Sequence, residues 1–487
     1  MTKSFKPAPA LTLADINPYS VETQYAVRGE IANLADELAK QLKQGQKLPF
    51  DHIVNANIGN PQQLKQKPLT WYRQVLSILQ YPDLATKARD VYPADVIDRA
   101  QTFLNAVGSV GAYSHSKGAP VFRESIAKAI AERDGFPSDP EHIYLTGGAS
   151  AAVTYLLTVL NQNEKSGFLI PIPQYPLYTA TIALGNAVAV GYYLDEAKNW
   201  RTDPAEIRAV IADNKSKGVD LKALVIINPG NPTGAILKED DIAELIDIAA
   251  EHGLVLIADE VYQCNVFHGE FVSVKKVLCQ LKEQNPELYN NVQLASLHST
   301  SKGVSGECGQ RGGYMELVGF TPEVEAVIYK LASINLCSVV SGQALVELMV
   351  NPPKPGSPSY DTYQQESNQI ASDLRERADR LYDAFEQMED VESQRPEGAM
   401  YLFPKLNFTR EHYPALFDEA AGKNKQVDDV YALELLKNTG ICCVPGNGFG
   451  QVEGTYHLRT TFLAPGTEWI DKWAQFHKQF VAQWKKA

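Results

Sequence analysis

A chain of 487 residues, 44% hydrophobic and 21% charged, is too long for one ordinary core, and two domains around a shared cleft are expected. Its formal net charge of −13 repels phosphate polymers and argues against a nucleic-acid or anionic-membrane surface, so an anionic ligand has to be caught locally. The six cysteines lack CxxC spacing, which suits reduced thiols better than a disulfide frame or a zinc site, and no metal is expected.

The opening "MTKSFKPAPALTLADINPYS" has no apolar signal core, carries Asp15 and contains no arginine before Arg28. A cytoplasmic protein is therefore expected, with mitochondrial import less favoured. No apolar stretch approaches membrane-spanning length.

From about residue 143, short β-branched runs alternate with longer helical patterns. "IYLT", "FLIPI", "VAVGYY", "ALVIIN", "LVLIA" and "VQLASL" read as strands, separated by helix-period segments over 149–162, 203–217 and 239–252. The alternation predicts an α/β large domain, a mainly parallel sheet covered by helices, with ligands beyond the carboxyl ends of its strands. A helical stretch around 321–349 ends at "NPPKPGSPS", whose prolines remove backbone donors, and a smaller α+β domain begins there. That domain reads as a charged helix near 361–389, short strands in "GAMYLFPKL", "GICCVPG" and "YHLRTTFL", and a closing helix from about 467. The expected division is an arm over 1–60 packing with the small domain, a large domain over 61–350 and a small domain over 351–487.

Several punctuated segments fall at the predicted strand ends. "LVLIADEVY" delivers Asp259 and, three residues on, Tyr262. "ALVIINPGNPTG" puts Asn231 in a stiff Asn-Pro turn. "IYLTGGASAAV" turns through Gly147 and Gly148 into a helix at Ala149 and Ser150, where free N–H groups and the dipole suit a phosphate. "LASLHSTSKGVSGECGQRGGYMEL" brings Lys302 among Ser299 and Ser301, with Arg311 behind. A single lysine is usually solvated and a single aspartate is commonly a cap, but together these groups ask for one explanation.

Pyridoxal phosphate held as a Schiff base supplies it. Lys302 is the expected aldimine partner, since a desolvating pocket with other positive charge favours the neutral amine. Asp259 is expected to keep the pyridine nitrogen protonated. Tyr262 and Asn231 are expected to donate to the ring's phenolate oxygen. Ser299, Ser301, Arg311 and the N–H groups near Ala149 and Ser150 surround the phosphate.

The ordered motifs "GGAS", "PIPQYPLY", "NPGNPTG", "DEVY", "STSKG" and "HLRTTFL" resemble those of fold-type I pyridoxal-phosphate aminotransferases of class I/II over nearly the whole chain. "YAVRGEI", "ANIGNPQQL", "GAYSHSKG", "GECGQRGGYMEL" and "PGNGFGQVEGTYHLRTTFL" resemble the eukaryotic alanine aminotransferases in particular. The resemblance implies a seven-stranded sheet, Tyr175 stacked on the cofactor ring, and Tyr113 reaching the phosphate of a neighbouring subunit in a homodimer with shared active sites. It also implies that Arg459 binds the substrate α-carboxylate, with Gly59 beside it. The sequence departs from the pattern at Val304, where relatives often carry an aromatic, which weakens the subfamily more than the chemistry.

The implied reaction is transamination of L-alanine with 2-oxoglutarate to pyruvate and L-glutamate, so the expected partners are small amino and keto acids. Two alternatives keep the cofactor: glyoxylate as acceptor, or a lyase or synthase. A third is a silent paralogue with a regulatory role. Arg28 is the one suggestion for the distal carboxylate of glutamate.

Overall fold

The computed structural model describes residues 10–23 and 29–486. Its centre is a seven-stranded sheet of β1 (Ile143–Thr146), β2 (Ser166–Ile172), β3 (Val188–Tyr193), β4 (Asp220–Ile227), β5 (Val255–Asp259), β6 (Leu294–Ser299) and β7 (Gly313–Val318). Their order is β1-β7-β6-β5-β4-β2-β3. The pairs among β2 to β6 are parallel, as the alternating pattern predicts, while β7 runs antiparallel to both of its neighbours.

Alternate residues of each strand feed opposite faces. In β4, Leu224 and Ile226 join a core with Ile242, Leu245 and Ile246 of the helix Glu239–His252, whereas Ala223 and Val225 join one with Val153, Leu156 and Leu157 of the helix Ala149–Leu160. Both faces are covered, which is why these strands read as near-continuous apolar runs. A third core forms where the helices Thr70–Gln80, Ala94–Val107, Pro120–Asp134 and Val340–Val350 meet.

The fourth core gathers distant parts of the chain. Ile31 and Ala35 of the helix Glu30–Lys43 pack with Leu374 and Leu381 of the helix Tyr360–Glu386, Leu435 of the helix Val427–Thr439 and Trp473 of the helix Glu468–Trp484. Val54–Asn55 pairs in parallel with Ile441–Cys442, tying the N-terminal segment to this core. No helix among the described residues is long and apolar enough to cross a membrane.

Two local expectations change. The helix expected over 321–349 is two helices, Pro322–Ile334 and Val340–Val350, with Leu336 at a φ of 64° between them. The amide of buried Gln343 holds the break: its oxygen accepts from Ala119 N–H (3.0 Å), and its NH₂ donates to Ser338 O and Ser114 Oγ (both 2.9 Å). Ser338 lies in the break itself, but Ala119 and Ser114 lie more than 200 residues away and leave no mark on the helical period. "GAMYLFPKL" is two strands, Tyr401–Leu402 and Lys405–Leu406, because Pro404 has no N–H to continue the ladder.

Candidate active site

Four strand ends form the floor of one cleft. β5 ends at Asp259, β4 leads into the turn at Asn231, β6 leads into Ser301 and Lys302, and β1 turns through Gly147 and Gly148 into the helix Ala149–Leu160. These ends line a cavity of about 340 Å³, closed by Ile58, Gly59 and Asn60 on one side and Tyr401 and Arg459 on another. Ala149, Ser150, Tyr175, Asn231, Asp259, Tyr262, Ser299, Ser301, Lys302, Arg311, Gly59 and Arg459 all line it.

Lys302 Nζ donates to Gly59 O at 2.7 Å. A Cβ at position 59 would stand 2.9 Å from that Nζ and 2.5 Å from Tyr401 Oη, so the close approach requires glycine. Asp259 is 5% exposed, and burial raises its carboxyl above the usual range. Opposing that, Tyr178 Oη donates to Oδ2 at 2.9 Å, Val261 N–H donates to Oδ1 at 3.4 Å, and the Lys302 charge adds a smaller pull. Neither hydrogen-bond donor is cationic, so a protonated ring nitrogen suits the carboxylate. Burial pushes the Tyr262 hydroxyl well above an ordinary phenol, which keeps it a proton donor at neutral pH.

The anion cup forms where β1 turns into the helix Ala149–Leu160. Gly148 has a φ of 83°, and no side chain caps the helix that follows it. A Cβ there would collide with the guanidinium of Arg311. Arg311 Nη2 donates to Gly147 O (2.8 Å) and Ser150 Oγ (3.3 Å), and Nη1 to Cys308 O (2.8 Å). Backbone donors, hydroxyls and one fixed cation make a donor set that fits a phosphate.

Arg459 is 1% exposed. Nη2 donates to Asn57 O at 2.6 Å and Nη1 to Asn231 Oδ1 at 3.4 Å, while Nε finds no acceptor among the described residues. Its guanidinium carbon sits over two rings, 4.7 Å from the Tyr401 ring centre and 4.5 Å from that of Phe449, so two aromatic groups hold it in place. A buried, planar guanidinium with an unsatisfied donor suits a carboxylate.

Tyr113 does not join the cavity: it is 79% exposed, in the loop between Val107 and Pro120. Arg28 lies outside the described residues. Val304 packs against the helical core, and Ser305 Oγ meets Tyr72 Oη at 2.9 Å. The sequence reading missed Tyr178, Tyr401, Asn57 and Cys308. Tyr401 lay in a segment read only as a strand, and Tyr178 ends "PQYPLY" without a signal that it turns under Asp259.

Residues 75–469 match the family model for aminotransferases of class I and II. Over 491 aligned positions the chain is 54% identical to the mitochondrial alanine aminotransferase of Saccharomyces cerevisiae, spanning 99% of this chain and 82% of that one. It is 50% identical to a second S. cerevisiae protein, named an inactive alanine aminotransferase, over 99% of this chain and 96% of that one. Among solved structures, the alanine aminotransferase of Pyrococcus furiosus shares the fold with a TM-score of 0.74 at 24% identity, over 95% of this chain and 100% of that one.

These relatives overturn the cytoplasmic location expected from the first residues, since the first S. cerevisiae protein is named mitochondrial, as are relatives from Arabidopsis thaliana and Dictyostelium discoideum. Targeting is read from a short terminal stretch, so the charge pattern of those residues carries no information about the folded body that the relatives share. The likeness in fold, the match over most of the chain and the donor set in the cleft agree: the chain belongs to the class I and II aminotransferases, enzymes that depend on pyridoxal phosphate.

Proposed function

We propose that this enzyme moves the amino group of L-alanine to 2-oxoglutarate, giving pyruvate and L-glutamate. The observation that carries the reading is the meeting of Lys302, Asp259 and Arg459 in one cavity of a chain so similar to alanine aminotransferases. Bound pyridoxal phosphate supplies an aldehyde carbon that takes up the amino group and a ring that accepts electrons from the substrate α-carbon. Lys302 is the amine that holds that aldehyde and moves the α-proton. Asp259 keeps the ring nitrogen protonated, and Tyr262 and Asn231 donate to the ring oxygen. Gly148, Ala149, Ser150, Ser299, Ser301 and Arg311 hold the phosphate, and Tyr175 stacks on the ring. Arg459 grips the α-carboxylate that all four substrates share, beside the backbone of Gly59.

The same reading makes the protein a homodimer, with the exposed Tyr113 reaching the partner's phosphate. It divides the chain into an arm over 1–60, a large domain over 61–350 and a small domain over 351–487, a division supported by the packing of Ile31 and Ala35 of the arm with Leu374, Leu435 and Trp473.

Mixing the cofactor-loaded enzyme with alanine tests the function. The absorbance of the bound cofactor should change once and stop until 2-oxoglutarate is added. An unchanged spectrum would mark a silent protein like the relative named inactive. Ammonia released without an acceptor would mark a lyase, and turnover with glyoxylate in place of 2-oxoglutarate would move the substrate assignment.

A further inference from the structure

Tyr401 reaches the cleft from the C-terminal core. It is 2% exposed and belongs to the strand Tyr401–Leu402, which runs antiparallel to Leu458–Thr461, the strand that carries Arg459. The preceding residues are pinned to the rim of the central sheet: Gly398 and Glu397 N–H donate to Gly234 O (2.8 and 3.0 Å), and Ala399 N–H donates to Asn265 O (2.9 Å). Its side chain therefore has a fixed place between three groups of the site. Its hydroxyl lies 2.8 Å from that of Tyr262, with the rings edge to face at 82°. Its ring covers the Arg459 guanidinium. The same hydroxyl crowds Gly59 opposite the Lys302 amine.

Each phenol has one proton to give. If Tyr262 gives its proton to the cofactor's ring oxygen, the contact between the two hydroxyls is a hydrogen bond only when Tyr401 is the donor. We propose that Tyr401 is a positioning residue that donates to Tyr262, strengthening it as a donor, and holds Arg459 in place through the ring its guanidinium stands over. The inference rests on the roles proposed above for Tyr262 and Arg459. Hydrogen bonds in series polarise one another, so loss of the Tyr401 proton weakens the bond from Tyr262 to the ring oxygen. That oxygen then becomes more basic, and the bound cofactor releases its proton at higher pH.

The test is a pH titration of the visible absorbance of the cofactor-loaded enzyme, with Michaelis constants measured alongside. Tyr401→Phe keeps the ring and loses the proton, so the midpoint should rise by about half a pH unit while KM for alanine stays within about twofold. Tyr401→Leu loses both, and KM for alanine and 2-oxoglutarate should also rise together, by about tenfold. Tyr262→Phe should raise the midpoint further, and adding Tyr401→Phe to it should change nothing more. An unmoved midpoint in Tyr401→Phe, in an enzyme where Tyr262→Phe moves it, would overturn the inference and leave the role of Tyr262 standing. So would an equal shift from Tyr401→Phe with and without the Tyr262 hydroxyl. No shift in Tyr262→Phe would remove the role of Tyr262 and this inference with it.

Discussion

Replacing Arg459 by lysine isolates geometry from charge. The guanidinium spends Nη2 on Asn57 O at 2.6 Å, and its carbon stands over the rings of Tyr401 and Phe449, 4.7 and 4.5 Å from their centres. A lysine keeps the positive charge and can satisfy Asn57 O, but it has no planar fork for a carboxylate and no flat face for the two rings. Losing one charged hydrogen bond and part of two cation–π contacts, with some recovery by the ammonium, costs about 1 to 3 kcal/mol. That corresponds to a rise in KM of roughly 5- to 150-fold. Because the α-carboxylate is common to all four substrates, KM for alanine, pyruvate, glutamate and 2-oxoglutarate should rise by similar factors. Steady-state kinetics in both directions measure this, with a melting curve to show that Arg459→Lys is folded. A rise confined to one amino acid and its keto acid, or a fall in kcat with every KM unchanged, would refute the role of Arg459.

Asp259→Asn should bind the cofactor weakly and slow turnover by roughly a hundredfold or more, because an amide offers the ring nitrogen no negative charge; activity within about tenfold of wild type would assign that work to another group. Mixing Tyr113→Phe with Lys302→Ala protein tests the shared site: each hybrid dimer has one site bearing both lesions and one intact site, so the mixture should outperform either parent, and a fully active monomer would end the idea. Burial, with Asp429 alongside, pushes the carboxyl of Asp428 up to about 7. Its folded value stands above its unfolded one, so its contribution to stability is present at acid pH and is lost as pH rises through about 7. Denaturation midpoints should therefore fall between about pH 4 and 7 in part through this group and level off above that, and Asp428→Asn should flatten that slope; an unchanged slope would locate the effect elsewhere.

Much of the cleft was legible before folding, for a local reason. Asp259, Asn231, Lys302 and the Gly147–Gly148 turn each stand at the end of, or within four residues after, an apolar run that alternation identifies as a strand, and a parallel sheet delivers such residues to one edge. Tyr178 and Tyr401 carry no such mark, since what matters in each is which hydroxyl it meets across the fold. β7 was also unmarked as a strand. It follows a run of glycines, and its antiparallel place between β1 and β6 is a matter of pairing rather than of period.

The sequence by itself determined the alternation of strand and helix, the residues that stand at strand ends and the chemistry those residue types permit. Periods of two and of 3.6 residues and turn-forming prolines and glycines act over a few neighbours, so they are written along the chain. Only the tertiary structure decided that Arg459 meets Asn57 across 402 residues, that its guanidinium stands over two aromatic rings, and that a tyrosine from the C-terminal core closes on Tyr262. Those contacts depend on how whole layers pack, and packing selects partners by shape and burial, which have no local period to read.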